Sequence, residues 1–156
     1  MTRIVFDPAS LVAACLSPSS AAENALSLAL RHGVVCACDA SLSQLHSCLG
    51  NSRFDRYMSR LARASFFEML QRHVWICQVS ASDLAPVRSF HRSRRSRIVL
   101  ALARVAEADA VVAIDPDLLL RKVWRSIPIV TTTDFVGLFD ARPPRVLSRP
   151  ASLQFP

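Results

Sequence analysis

Three aspartates in this 156-residue chain, Asp7, Asp115 and Asp117, stand where carboxylate chemistry is most easily built. Asp115 closes the apolar run Ala110-Val111-Val112-Ala113-Ile114, and Pro116, Asp117 and Leu118-Leu119-Leu120 follow it. An unbroken run of small and β-branched residues reads as a central strand of a parallel sheet, buried on both faces. Proline at the first helical position, with aspartate before it, marks a helix start. Asp115 is therefore expected at the carboxyl end of a strand and at the mouth of a helix. Asp7 repeats the arrangement, with Arg3-Ile4-Val5-Phe6 as a short strand and Asp7-Pro8 opening a helix. Ligands of open α/β sheets bind at the carboxyl ends of the strands, and two strand-end aspartates of one sheet can converge on one point. Neighbouring carboxylates disfavour each other's ionisation, so such a cluster wants a cation beside it. Helix capping is a second role open to the same residues.

The elements that must hold these acids can be taken in order. Leu11, Val12, Ala14 and Cys15 give a first helix stopped near Ser17-Pro18. Ser19 or Ser20 caps a second, through Ala25, Leu26, Leu28, Ala29 and Leu30, that ends at Gly33 as a C-terminal glycine. Val34-Val35-Cys36-Ala37 is the second strand, and Asp39 or Ser41 begins a helix with Leu42, Leu45 and Leu49 on one face, closed by Gly50. Residues 54–71 read as a helical hairpin. Arg53, Arg56, Arg60 and Arg63 form a basic stripe on one recurring helical face, either solvated or in contact with a polyanion. Val74-Trp75-Ile76-Cys77 is the third strand. The basic segment Arg88-Ser89-Phe90-His91-Arg92-Ser93-Arg94-Arg95-Ser96-Arg97 reads as a loop at a fixed sheet edge, leading into the helix of Ile98, Leu100, Ala101, Leu102 and Val105. Ile127-Pro128-Ile129-Val130 is the last strand, and Thr131 to Asp134 cap a final helix through Phe135, Val136 and Leu138. The pattern predicts a three-layer α/β/α domain with a short, mainly parallel sheet over residues 1–140. A Pro-rich tail over residues 141–156 follows, a candidate arm to a second subunit.

Composition bounds the possibilities. The chain is 51% hydrophobic with a mean hydropathy of +0.28, yet no apolar run approaches the ~20 residues a membrane span needs. Residues 1–20 carry Arg3 and Asp7 in a strand-and-turn pattern rather than a secretory signal, so a cytoplasmic protein without a membrane is expected. The net charge of +7, in which Lys122 is the only lysine, gives an electrostatic preference for polyanions, either nucleic acid or an acidic protein. Cys15, Cys36, Cys38, Cys48 and Cys77 are odd in number and lack zinc-knuckle spacing, and read as buried free thiols in a reducing compartment. His32, His46, His73 and His91 are scattered without ligand spacing, and no nucleophile elbow, phosphate loop or dinucleotide fingerprint is present. Trp75 and Trp124 read as core; Phe90 is either a base-stacking platform or an anchor for the basic loop.

Taken together, three stretches resemble the PIN-domain family, and within it the compact bacterial toxin-type ribonucleases of the VapC kind. Arg3-Ile4-Val5-Phe6-Asp7-Pro8-Ala9-Ser10-Leu11-Val12 looks like the opening strand and first acid. The segment from Ala108 through Asp115-Pro116-Asp117 to Leu119 looks like the late strand and its acid pair, and Ile127-Pro128-Ile129-Val130-Thr131 with Phe135-Val136 like the end of the domain. The resemblance implies an acidic pocket that binds Mg²⁺ or Mn²⁺ through hard oxygen ligands and cleaves RNA. Position by position, Asp7 matches the first acid and Asp115 and Asp117 the last two. The family's Thr-Asn after the first acid is here Pro8-Ala9, its helical glutamate is Gln44, and its further aspartate is matched best by Ser96. Two pocket acids are thus replaced, and Arg94, Arg95 or Arg97 is placed to pair with Asp7 and Asp115 where a metal would otherwise sit. Two functions follow. One is an RNA-binding domain with cleavage lost or weak and no cofactor, reading RNA through Arg92, Arg94, Arg95, Arg97 and Phe90. The other is a Mg- or Mn-dependent endoribonuclease in which Asp7, Asp115 and Asp117 hold the metal and Gln44 and Ser96 support them. The resemblance also implies a small acidic antitoxin-like protein partner and a homodimer.

Overall fold

The computed structural model describes residues 1–88 and 93–141. In chain order the elements are β1 (Thr2–Phe6), α1 (Pro8–Leu16), α2 (Ala21–His32), β2 (Gly33–Ala37), α3 (Asp39–Leu49), a 3-10 turn (Ser52–Phe54) and α4 (Arg60–His73). There follow β3 (Trp75–Ile76), α5 (Ala81–Arg88), α6 (Arg94–Val105), β4 (Ala110–Val112), α7 (Pro116–Leu119), β5 (Val123–Trp124), β6 (Ile127–Val130) and α8 (Thr132–Ala141). The six strands form one sheet in the order β3-β2-β1-β4-β6-β5, parallel throughout except for the antiparallel β5–β6 pair.

Period-two alternation along the inner strands explains the layers, because successive side chains leave a strand on opposite faces. Val5, Cys36 and Val111 point to one face, where they meet Ile98, Leu102 and other apolar residues of α6 together with Val87 of α5. Ile4, Phe6, Val35, Ala110 and Val112 point to the other, where α2, α3, α4 and α8 bring Leu26, Leu45, Leu70 and Phe135. Both faces are covered, which is why these strands read as continuous apolar runs rather than alternating ones. The expected three-layer α/β/α architecture with a mainly parallel sheet is the one observed.

Several local expectations need correction. Gly33 does end α2, as its C-cap, with its N–H donating to the Ala29 carbonyl, but not through glycine's left-handed conformation. It has extended backbone, with φ −148°, and opens β2 directly. A Cβ there would lie 2.7 Å from the Thr2 carbonyl oxygen and 3.1 Å from the Ile4 side chain, so the glycine lets β1 and β2 approach. The helical hairpin over residues 54–71 is instead the 3-10 turn and the single helix α4, and the basic stripe is not one face. Arg63 is buried: it donates to the Asn51 carbonyl at 2.8 Å and pairs with Asp55, tying the turn to α4. Arg60 also meets Asp55, at 3.5 Å. Trp124 is core, its indole N–H donating to the Leu100 carbonyl at 3.2 Å. Trp75 is not core: it is 46% exposed on the edge strand β3, with the Arg3 guanidinium 4.4 Å from its ring centroid.

Two elements went unread in the sequence. The first is α5, opened by Ser80, whose N–H and hydroxyl both reach the Asp83 carboxylate at 2.8 Å. Arg104 of α6 donates to the same carboxylate at 2.7 Å. The Ser80 bonds, helped by Arg104, hold the Asp83 carboxyl below its ordinary range. The second is β5, joined to β6 by a tight turn. The five cysteines are free. Cys15, Cys36 and Cys38 are buried, whereas Cys48 and Cys77 are half-buried, and burial pushes the Cys36 thiol up to about 12. Of the expected basic loop, residues 94–97 form the first turn of α6; Phe90, Arg92 and the tail over 142–156 lie outside the described residues. Among the described residues, no helix is long and apolar enough to cross a membrane.

Candidate functional site

β1 and β4 are adjacent parallel strands near the middle of the sheet, and the chain leaves them in opposite directions, β1 towards β2 and β4 towards β6. Their carboxyl ends form the crevice where such sheets place ligands. Asp7 follows β1 directly and is the N-cap of α1, only 1% exposed. Its N–H donates to the Val112 carbonyl at 3.0 Å, extending the pairing with β4 by one residue. One carboxylate oxygen, Oδ1, accepts from the Ser10 N–H at 2.8 Å. The other, Oδ2, accepts from the Ile114 and Asp115 N–H groups, both at 3.0 Å. The first acid thus closes two connections at once, the start of α1 and the exit from β4.

Asp115 caps α7, its Oδ1 accepting from the Asp117 N–H at 3.0 Å. Its Oδ2 accepts from the Ser96 hydroxyl at 3.3 Å, and Ser96 is buried in the first turns of α6. The structure therefore brings together Asp7, Asp115 and Ser96. Asp117 is exposed and does not line the crevice. Gln44 does not line it either: Cys48, one turn further along α3, does so, while the Gln44 Oε1 is buried without a partner among the described residues. Asp39 is exposed at the start of α3 and stays out of the crevice.

Around these groups lies a cavity of about 470 Å³. Its walls are largely apolar, with Pro8 and Val12 of α1, Val99 of α6 and Leu118 of α7 among them, and Asp7, Asp115 and Ser96 contribute the polar part. Two arginines reach it, Arg95 from the first turn of α6 and Arg53 from the 3-10 turn. Arg53 was seen in the sequence only as part of a stripe. Its proximity to Asn51, whose side chain caps the 3-10 turn by accepting the Arg53 N–H at 3.0 Å, is the signal that separates it from α4.

The expected guanidinium pairs are not formed. Among the described residues, neither Arg94, Arg95 nor Arg97 makes an ion pair with Asp7, Asp115 or Asp117. Backbone N–H groups take that place, because the helix start and the strand end present donors at shorter reach than any side chain. The same geometry bears on a divalent metal. A carboxylate offers about four lone-pair positions, and three on Asp7 already accept backbone N–H groups. Asp115 accepts one bond on each oxygen, so it keeps positions of its own, but it is a single carboxylate. Among the described residues no three His, Cys, Asp or Glu side chains cluster so as to hold a metal ion. Mg²⁺ asks for near-octahedral oxygen donors with charge behind them. The set expected to hold it, Asp7, Asp115 and Asp117, does not fit that demand.

No protein-family model matches the chain, and none of the curated proteins matches it. Solved structures do. The chain is similar to VapBC2 from Rickettsia felis, solved bound to a DNA fragment from the pair's promoter, with a TM-score of 0.62 and 12% identity over 83% of this chain and 98% of that one. It is also similar to PAE2754 from Pyrobaculum aerophilum, with a TM-score of 0.64 and 10% identity over 90% of this chain and 91% of that one. The fold is that of PIN domains.

Proposed function

We propose that this chain is a PIN domain of toxin-ribonuclease lineage that holds RNA through arginines at the crevice and does not cut it. The observation that carries the reading is the Asp7 carboxylate, engaged by the Ser10, Ile114 and Asp115 N–H groups. An acid spent on the backbone is a structural brace, and the groups left at the crevice to meet an anion are arginines. The first turn of α6 contains no acidic residue and carries Arg94, Arg95 and Arg97. Arginines at a helix start are opposed by the helix dipole, so an anion there relieves both the side-chain charge and the free N–H groups. The net charge of +7 supports a polyanion as the source of that anion. RNA is the polyanion favoured by lineage; Arg92 and Phe90 extend the proposed contact along the chain. A small acidic antitoxin-like protein partner and a homodimer belong to the same proposal, as the resemblance to toxin-type ribonucleases implies.

The test is the salt dependence of oligoribonucleotide binding in EDTA. Each phosphate neutralised on a single strand contributes a slope of roughly 0.7 in log K against log salt. Replacing Arg94, Arg95 and Arg97 together by alanine should lower the slope by about 2 and the affinity about 100-fold at ~0.1 M salt. An unchanged slope and affinity in the triple variant would remove these residues from the interface. Binding only in the presence of Mn²⁺ would favour the metal-dependent endoribonuclease built on Asp7, Asp115 and Asp117.

A further inference from the structure

Resting on the RNA-binding reading, we infer that the cavity itself takes one nucleotide unit, its phosphate between Arg53 and Arg95 and its base against the apolar wall, without a divalent metal. The volume, about 470 Å³, lies within the ~300–1,000 Å³ of small-molecule sites, which are mostly apolar with a few convergent polar groups. Arg53 and Arg95 come from different elements, the 3-10 turn and α6, yet line the same space. Neither makes an ion pair among the described residues. Two arginines that line one space from separate elements suit a phosphate better than a single carboxylate, because each guanidinium can bind two of its oxygens. The Arg53 guanidinium lies 4.7 Å from the Phe54 ring centroid, a cation–π contact that supports it on an otherwise exposed turn.

The rest of the cavity selects what the phosphate is attached to. Val12, Ile114 and Pro116, apolar lining residues that are not fully buried, offer a surface that a flat heterocycle covers and a free phosphate leaves wet. Asp115 uses one position on each oxygen, for the Asp117 N–H and the Ser96 hydroxyl, so acceptor positions remain. A base with an exocyclic amine can donate to them from the edge of its ring; uracil has only its N3–H, between two carbonyls that the carboxylate repels. Single-stranded RNA can splay a base into such a pocket, and a free nucleotide presents the same groups.

Titration calorimetry of the full chain in EDTA with AMP, GMP, CMP, UMP and inorganic phosphate tests this. One AMP, GMP or CMP should bind per chain, each more tightly than UMP. Arg53→Ala and Arg95→Ala should each weaken AMP by about 10- to 100-fold, the value of one charge-assisted contact. An oligoribonucleotide that displaces AMP identifies the nucleotide as part of an RNA; one that binds beside it identifies a free nucleotide. Inorganic phosphate binding as tightly as AMP, or AMP binding indifferent to both substitutions, would overturn the inference. Absence of binding by every mononucleotide, with the oligoribonucleotide still held through Arg94 and Arg97, would overturn it while leaving the RNA reading intact. If the oligoribonucleotide also fails to bind, the RNA reading falls with it.

Discussion

Asp7→Ala should cost about 3–5 kcal/mol of folding stability, because it takes the acceptor from three N–H donors at once. The carboxylate accepts from Ser10, Ile114 and Asp115 and is 1% exposed, and an alanine leaves no protein acceptor in its place. Domains of this size are stable by about 5–15 kcal/mol, and the variant should melt far below the parent. Asp7→Asn keeps one acceptor oxygen but turns an amide NH₂ towards N–H donors, so it should recover only part of the loss. The sign of the effect is diagnostic. An aspartate held for catalysis beside other acids is under electrostatic strain, and its removal relieves the fold. Chemical denaturation of both variants would show which kind of residue Asp7 is. A variant as stable as the parent would mean that the carboxylate is not the brace inferred from its contacts.

Ser96→Asp should have the second largest effect, and its sign should depend on metal. Ser96 is buried with its hydroxyl 3.3 Å from Asp115 Oδ2. A carboxylate there would face Asp115 at close range, and two such groups cannot both ionise without a cation. Metal-free, the variant should lose about 3 kcal/mol. With Mn²⁺ at ~100 times its dissociation constant it should regain about 2.7 kcal/mol, a rise of roughly 5–10 °C in melting temperature for a domain of this length. Gln44→Glu added to it should strengthen the response if the α3 side chain can turn towards the crevice. The parent chain should show no comparable rise, since Asp7 is held by three N–H groups and Asp115 alone offers an ion a single carboxylate. Thermal melts with and without Mn²⁺ check all three chains together.

The parts of the fold and site that could be read from residue order are those whose side chains carry the signal. Ile4, Val5 and Phe6, and Ala110 to Val112, announce central strands by composition, and Asp-Pro after each strand announces the helix that follows. Elements whose cause lies in the backbone were hidden. The β5–β6 turn places Arg125 and Ser126 at φ 46° and 69°, where glycine or asparagine would have marked a hairpin. Pro86 inside α5 suppresses a helical reading, although Ser80 and Asp83 stand at capping-box spacing. Gly33 was legible as a boundary but not as a close approach, because the Thr2 carbonyl that crowds it lies on another strand. The crevice divides in the same way. That Asp7 and Asp115 meet follows from the topology their flanking residues predict. What satisfies them does not, because amide donors occur at nearly every position and leave no mark in a sequence. Arginine was therefore expected where N–H groups are found, and Arg53, displaced from the α4 face by the turn at residues 55–59, was placed on the wrong surface.

Incubating the unaltered chain with end-labelled RNA, in Mn²⁺ and in EDTA, and resolving both the complex and the denatured RNA, addresses the central claim most directly. RNA bound in both conditions and recovered at full length from both is the result expected of a crevice whose first acid belongs to the backbone. Fragments that form only with Mn²⁺, and disappear in a folded Asp7→Asn variant, would contradict it.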